Sequence, residues 1–376
     1  MIITSLLIYQ FRNLDRISWE PHPRANLLLG LNAQGKTNIL EALFLLGTTK
    51  TLRNGSTVED LIQLDKEEAL IRTQVLHQDN GLSRDLELQL RRPSQKSYLL
   101  NSKKLSPLSK IFGQLALVLF TPEDLDLIKA GPQARRLFLD LEISQASQTY
   151  LKDLGRYHRA LKQRNAALRR LNEGGGLDSV HAFDEDLIAS GCAVVRFRRE
   201  AVAQLEPLAR EALGRLGQGR ERLGLRYLGT LDASPDDAPT DAEDASLEHR
   251  FRLRLRLRAK EERARGGTLS GPHRDDLEVT LNGRPARLYA SQGQQRSLAL
   301  ALKLAEVQYL QARLGESPVL LLDDVLSELD LERQGELLRL LDERVQTFVT
   351  STHARDLAYR PGLVLRVHQG RLEPET

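Results

Sequence analysis

The segment Gly30-Leu31-Asn32-Ala33-Gln34-Gly35-Lys36-Thr37 has the residue types and spacing of a phosphate-binding loop, G-x-x-x-x-G-K-T. Its glycines permit a tight turn that points backbone N–H groups at phosphate oxygens, and a helix starting at its end adds the positive pole of its dipole. Lys36 is placed to reach β- and γ-phosphates, and the Thr37 hydroxyl to ligate magnesium. Such a loop needs a carboxylate to hold the metal and a group to orient water. Val319-Leu320-Leu321-Leu322-Asp323-Asp324 offers both. Asp323, at the end of an apolar strand, can hold magnesium through its water shell, and Asp324 can polarise the attacking water as general base. Without a cation the two neighbouring carboxylates would repel.

Ser291-Gln292-Gly293-Gln294-Gln295 combines a hydroxyl, a glycine and a helix start, the parts of an anion-binding concavity. Taken alone it would be an ordinary serine cap, but the same helix leads into the Asp323-Asp324 strand. His353 stands at the end of the next strand, where it can sense a γ-phosphate or serve structure only.

These groups need a scaffold. The apolar run Ala25–Leu29 reads as a buried strand before the loop, and 38–46 has helical spacing after it, the context a phosphate loop requires. Residues 69–76 and 84–90 alternate as antiparallel strands around Asp79-Asn80-Gly81, and 98–104 forms a further short hairpin. Leu115–Phe120 reads as a buried strand, with Thr121 capping a helix and Pro122 at its first position. From about 123 to 218 the period is helical. Leu154, Tyr157, Leu161, Leu168 and Leu171 form a stripe that Arg164 interrupts, and Gly174-Gly175-Gly176 separates two antiparallel helices of a short arm. The acidic segment 232–244 reads as a solvated loop. Phe251 to Arg258 is ambiguous. Strict alternation predicts a strand, whereas Leu247, Phe251 and Leu255 predict a helix. Its arginines form either a solvated basic face or a contact to a phosphate backbone. Strands return after Gly266-Gly267, followed by a long helix from about Gln294 to Leu314, the Val319–Leu322 strand and a last buried strand at Gln346–Ser351.

With 376 residues, 41% apolar, the chain can build one large core with an appended lobe. The expected class is α/β, a mixed sheet flanked by helices, with 1–120 and 266–376 as a head and 121–265 as a mostly helical second lobe. The single cysteine, Cys192, excludes an internal disulfide framework and fits a reducing cytosol. The opening Met1-Ile2-Ile3 reads as a first strand rather than a signal peptide, and no apolar run suffices for a membrane span. The net charge of +3 leaves partner choice to local arginine clusters.

The order of phosphate loop, helical insert, serine–glycine turn, double carboxylate, Ser327-Glu328-Leu329-Asp330 and histidine resembles the head of ABC-type ATPases. In that family the serine–glycine element of one subunit caps the nucleotide on another, which implies an ATP-dependent homodimer. Further stretches narrow the resemblance: Phe11-Arg12-Asn13-Leu14, Phe120-Thr121-Pro122-Glu123-Asp124-Leu125, Arg135-Arg136-Leu137-Phe138-Leu139-Asp140 and Ser270-Gly271-Pro272-His273-Arg274-Asp275-Asp276. Together they look like the RecF family of bacterial recombination mediators, over nearly the whole chain. The resemblance implies a cytoplasmic, nucleoid-associated DNA-repair ATPase that uses ATP and Mg2+. It implies slow, DNA-stimulated hydrolysis, recombinase loading at gapped or junction DNA, roles in replication restart and SOS induction, and RecR and RecO as partners. It also implies that the basic run is helical and that Arg12 approaches the nucleotide.

DNA contacts are expected from Arg252, Arg254, Arg256, Arg258 and Lys260, and from Arg159 and Lys162 on the arm. The sequence departs from the wider ABC pattern in having Asp324 where most heads have glutamate and Gln292 where glycine is usual, and no glutamine marks the Q-loop near 120–124. Competing readings are a chromosome-structuring SMC-type ATPase, whose arms are much longer, a transporter's nucleotide-binding subunit, a metabolite kinase, and a nucleotide-binding protein without hydrolysis.

Overall fold

The computed structural model describes residues 1–53, 55–171, 178–216, 219, 221–232, 246–326, 333–335, 337, 345–352 and 362–374, the side chains of 178 and 179 excepted. His353, Ser327–Asp330, the glycine turn at 174–176 and the acidic segment beyond 232 lie outside the described residues. The chain forms two compact units. The first comprises Met1–Leu125, Leu208–Glu221 and Arg296–Thr376; the second comprises Asp126–Pro207 and Arg222–Gln295.

The first unit begins with β1 (Ile2–Phe11), β2 (Leu14–Trp19) and β3 (Ala25–Leu29), then α1 (Lys36–Thr48) and the short α2 (Val58–Leu61). β4 (Glu68–Leu76), β5 (Ser83–Arg91), β6 (Gln95–Leu100) and β7 (Lys103–Lys104) complete an antiparallel sheet of order β2-β1-β4-β5-β6-β7, and β8 (Leu117–Phe120) follows. Alternation fixes the register: Leu86, Leu88 and Leu90 of β5 are all fully buried. α1 touches β1, β4 and β5 of this sheet and β8, β12 and β13 of the second. A helix enclosed this way packs on every side, and twelve of its thirteen residues are buried, polar Glu41 and Thr48 among them. Truncating Leu43 to alanine would cost about 2–5 kcal/mol.

The second unit contains α3 (Asp126–Lys129), α4 (Pro132–Ala146), α5 (Gln148–Leu171), α6 (Asp178–His181) and α7 (Asp184–Leu216, whose last turns belong to the first unit). It continues with β9 (Leu223–Leu228), α8 (Leu247–Leu257), α9 (Ala259–Arg265), β10 (Asp276–Leu281), β11 (Arg284–Pro285) and α10 (Ala286–Tyr289). Arg164 meets Asp184, Tyr157 lies against Gly191, and Tyr150 stacks edge-on with Phe197, so α5 and α7 run antiparallel. Arg164 is 3% exposed and is satisfied by Asp184, Glu262 and the Thr268 hydroxyl. α8 is helical, with Leu247, Phe251 and Leu255 as its buried face. The alternating-strand alternative is therefore wrong, because a helix splits the arginines that a strand would align.

The sequence boundary at 266 differs from the observed one. β10 and β11 form a three-stranded sheet with β9, order β11-β10-β9, which ties 266–295 to the second unit.

α11 (Gln292–Leu314) leads back into the first unit, followed by β12 (Val319–Asp323), β13 (Thr347–Ser351), β14 (Leu363–His368) and β15 (Arg371–Pro374). These join β3 and β8 in a sheet of order β15-β14-β3-β13-β12-β8, parallel except at β15. β12 is a central strand, as its unbroken apolar run predicts.

Candidate active site

Parallel pairing brings the C-terminal ends of β3, β12 and β13 together, the place where open α/β sheets hold ligands. Gly30 leaves β3 with its N–H on Ser351 O at 3.2 Å. The outer curve of the loop is pinned to the β14–β15 turn, whose Gln369 N–H donates to Gln34 Oε1 at 2.7 Å and Gly370 N–H to Gln34 O at 2.9 Å. Leu31, Asn32 and Ala33 are exposed. Gly35 has φ 113, and a Cβ there would stand 2.8 Å from Leu14 Cδ2, so both conformation and space require glycine. Lys36 Nζ curls back to Gly30 O at 2.6 Å and Leu31 O at 3.0 Å. Burial lowers its pKa, partly opposed by the charges of Asp324 and Asp323.

Thr37 Oγ1 donates to Asp323 Oδ1 at 3.0 Å. Thr350 Oγ1 donates to the same oxygen at 2.8 Å and accepts the Asp324 N–H at 2.9 Å. Asp324 adopts φ 53, a left-handed conformation that turns the chain sharply after β12. Burial raises the Asp323 pKa against these two hydroxyl hydrogen bonds, with Asp324 and Glu123 raising it further. A cleft of about 540 Å³ is lined by the loop, Asp323 and Asp324 together with Asn13, Asn38, Arg53, Pro122 and Glu123. Asn38 Nδ2 donates to Asn13 Oδ1 at 2.8 Å, and Arg53 Nη2 to Asn38 Oδ1 at 3.3 Å.

The sequence pattern assigns no site role to Thr350, Asn13, Asn38, Arg53 or Glu123. For Thr350 the sequence gives no local signal, since its strand also carries the hydroxyls of Thr347 and Ser351. Glu123 occupies the stretch in which no Q-loop glutamine was found.

Arg12 is elsewhere. Its Nε and Nη2 donate to the Glu41 carboxylate at 3.0 and 2.9 Å, Nη1 to Asp60 O and Nη2 to Ser56 Oγ. It does not line the cleft, which corrects its expected place at the nucleotide: a buried Glu41, with 1% of its side chain exposed, claims the guanidinium.

Ser291 begins α11 as a capping box. Its N–H donates to Gln294 Oε1 at 2.8 Å, and its Oγ accepts the Gln294 N–H at 3.3 Å. Ser291, Gln292 and Gly293 are exposed, so the element presents an open helix start.

Of the basic candidates, Arg252 pairs with Glu185, Arg254 donates to Asp232 O at 2.9 Å, and Arg258 caps α8. Arg256, Lys260, Arg159 and Lys162 are exposed. On the helix Arg252 and Arg256 share a face that Arg254 does not.

The profile of the RecF/RecN/SMC N terminal domain matches residues 2–367. The chain is 42% identical to the DNA replication and repair protein RecF of Symbiobacterium thermophilum, covering 96% of this chain and 94% of that one. It is 39% identical to RecF of Bacillus subtilis, covering 99% and 100%. Its structure matches that of a recombination mediator protein RecF bound to ATP in the RecFOR pathway, with a TM-score of 0.90, 32% identity and coverage of 100% and 98%. An Smc head bound to the C-winged helix domain of ScpA shares the fold, with a TM-score of 0.56 at 15% identity. The loop, the paired aspartates and the helix-start serine thus stand on a scaffold shared end to end with these relatives, and the chain belongs to the RecF family of DNA replication and repair proteins.

Proposed function

We propose that the chain is an ATP-dependent DNA-binding protein of recombinational repair. ATP binding would join two copies on DNA, and slow hydrolysis would release them. The observation that carries this reading is the meeting of Thr37, Asp323 and Thr350 beside Lys36, a set made for a nucleotide's metal and phosphates. The cleft fits the cofactor: its glycine cradle has no room for a Cβ at Gly35, and its oxygen donors suit a hard divalent cation.

In this reading Gly30 to Lys36 hold the phosphates and Thr37 and Asp323 hold Mg2+, which when bound neutralises phosphate charge. Asp324 orients and deprotonates water. Its short side chain holds that water less firmly than a glutamate would, which suits a slow switch. Arg53 and Asn13, at the cleft wall, contact the nucleotide, the role Arg12 does not take. The exposed Ser291–Gln294 helix start caps the nucleotide of a second copy, and His353 senses its γ-phosphate.

The DNA-binding surface includes Arg256, Lys260, Arg159 and Lys162, with Arg252, Arg254 and Arg258 contributing less because Glu185 and backbone carbonyls already engage them. Binding of this kind is salt-dependent and largely blind to sequence. RecR and RecO are the expected partners, at gapped or junction DNA, in a nucleoid-associated setting with roles in replication restart and SOS induction. No described helix is long and apolar enough to cross a membrane.

Sedimentation velocity with and without Mg-ATP, on the parent chain and Ser291→Arg, tests the reading. ATP-dependent dimerisation of the parent alone is the expected result; two monomers with ATP bound would return Ser291 to a simple cap.

A further inference from the structure

The motif Ser270-Gly271-Pro272-His273-Arg274-Asp275-Asp276 is held with unusual completeness. Gly271 has φ 121, and a Cβ there would stand 2.6 Å from Tyr157 Oη and 2.8 Å from Phe251 Cζ. Its carbonyl closes a turn by accepting the Arg274 N–H at 2.9 Å. Pro272 O accepts from the fully enclosed Arg198 at 2.7 Å. The Thr268 carbonyl can only accept, so His273 carries its proton on Nε2, donated over 3.0 Å, and Nδ1 accepts from Tyr157 Oη at 2.5 Å. Asp275, 1% exposed, accepts from the Thr230 N–H and hydroxyl and the Tyr227 hydroxyl. Asp276 takes both arms of the Arg135 fork at 2.8 and 2.9 Å. Ser270 is fully buried, its hydroxyl without a hydrogen-bond partner among the described residues.

Arg274 alone of the motif faces solvent. It is exposed, and its guanidinium has no hydrogen bond or ion pair among the described residues. A scaffold of buried ion pairs and tyrosines therefore presents one cation in a fixed place.

That cation has company. Arg136 Nη1 donates to Asp275 O at 2.7 Å, which sets a second guanidinium next to the turn. Tyr157, bonded to His273, belongs to α5, and the next residues of α5 are the exposed His158 and Arg159, with Lys162 and Gln163 beyond. Burial, and after it the charges of Arg274, Arg136 and His158, pushes the His273 pKa down to about 4, so positive groups gather on this side of the loop. The exposed α5 residues here carry no apolar side chain of the kind that centres protein interfaces. A planar guanidinium held rigidly is suited to phosphate oxygens.

We propose that Arg274, with Arg136 beside it, is a contact site for the phosphodiester backbone of DNA. The site deepens the repair reading and rests on it. It assigns the exposed tip of this motif to DNA and its remaining residues to holding that tip.

The test is anisotropy of a labelled gapped duplex with the full chain and Mg-ATP, titrated across roughly 50–200 mM salt, the range over which phosphate contacts weaken steeply. Arg274→Glu should weaken binding about tenfold and lower the slope of log K against log salt by about 1, the signature of one lost phosphate contact. Arg274→Ala should lower the slope by the same amount, and Arg274→Lys should keep most of the affinity. Melting temperature and DNA-free ATP hydrolysis should not change, since the side chain touches neither core nor cleft.

An Arg274→Glu chain with the parent's affinity and slope overturns this site alone. If that chain keeps DNA but loses an acidic protein partner, the site is a protein contact and the proposal fails. A parent chain that binds no DNA defeats the repair reading and this site with it.

Discussion

The Thr350 hydroxyl stands 2.8 Å from Asp323 Oδ1 and receives the Asp324 N–H at 2.9 Å, so one buried side chain orients both acids of the site. The register of β12 on β13 pairs Asp323 directly with Thr350, which places the hydroxyl there without adjustment. Thr350→Val keeps the shape and removes the hydrogen bonds. Loss of a group that orients a metal-holding carboxylate typically costs about 10–100-fold. Steady-state ATP hydrolysis should fall by that factor in Thr350→Val and recover largely in Thr350→Ser, while calorimetry shows the Mg2+ dependence of nucleotide binding weakened.

Arg12 and Glu41 form a pair whose side chains are only 9% and 1% exposed. Arg12→Ala leaves a buried carboxylate without its cation, a loss of about 3 kcal/mol in urea unfolding. Glu41→Gln in the same chain should restore part of it. Nucleotide affinity should move less than about threefold, well under the tenfold that 1.4 kcal/mol of direct contact would give. A large loss of affinity at unchanged stability would put Arg12 back at the nucleotide.

Arg135 and Asp276 link the first residues of α4 to the start of β10, joining two motifs far apart in sequence. Asp276→Asn should cost about 2–4 kcal/mol, because the Arg135 side chain, 8% exposed, loses its counter-charge. Chemical denaturation of Asp276→Asn and of Arg135→Met with Asp276→Asn measures this, and the double variant should be the more stable of the two.

His273 gives a pH dependence of definite sign. Its native pKa is pushed down to about 4 from an ordinary 6.5. Between those values the unfolded chain takes up a proton that the native ring refuses. Stability is therefore fully present above about pH 6.5 and declines as pH falls toward 4. Thermal melts of the parent across this window should show that decline, and His273→Asn should flatten it.

The phosphate loop and Asp323 were legible in the sequence because each is a local pattern: a spacing of glycines, or a carboxylate closing an apolar run. Thr350 was not, since its role depends on which strand lies beside β12. Arg12 misled because a motif position fixes the backbone and not the direction of a long side chain, which Glu41 decides. The arginines of 252–258 satisfy both strand and helix periods, and only the burial of Leu247, Phe251 and Leu255 together settles the matter. The stretch 266–295 was assigned to the head by its strand pattern, but pattern alone does not say which sheet a strand joins.

Arg164 interrupts the leucine stripe of α5 and meets Asp184, Glu262 and Thr268 in a buried setting. Leucines tolerate sliding: moved by one turn, an apolar stripe meets another apolar stripe at little cost. A buried guanidinium does not, because the same slide would strand its charge among side chains that cannot answer it. The arm thus gains a single permitted alignment from the one residue that spoils its hydrophobic pattern.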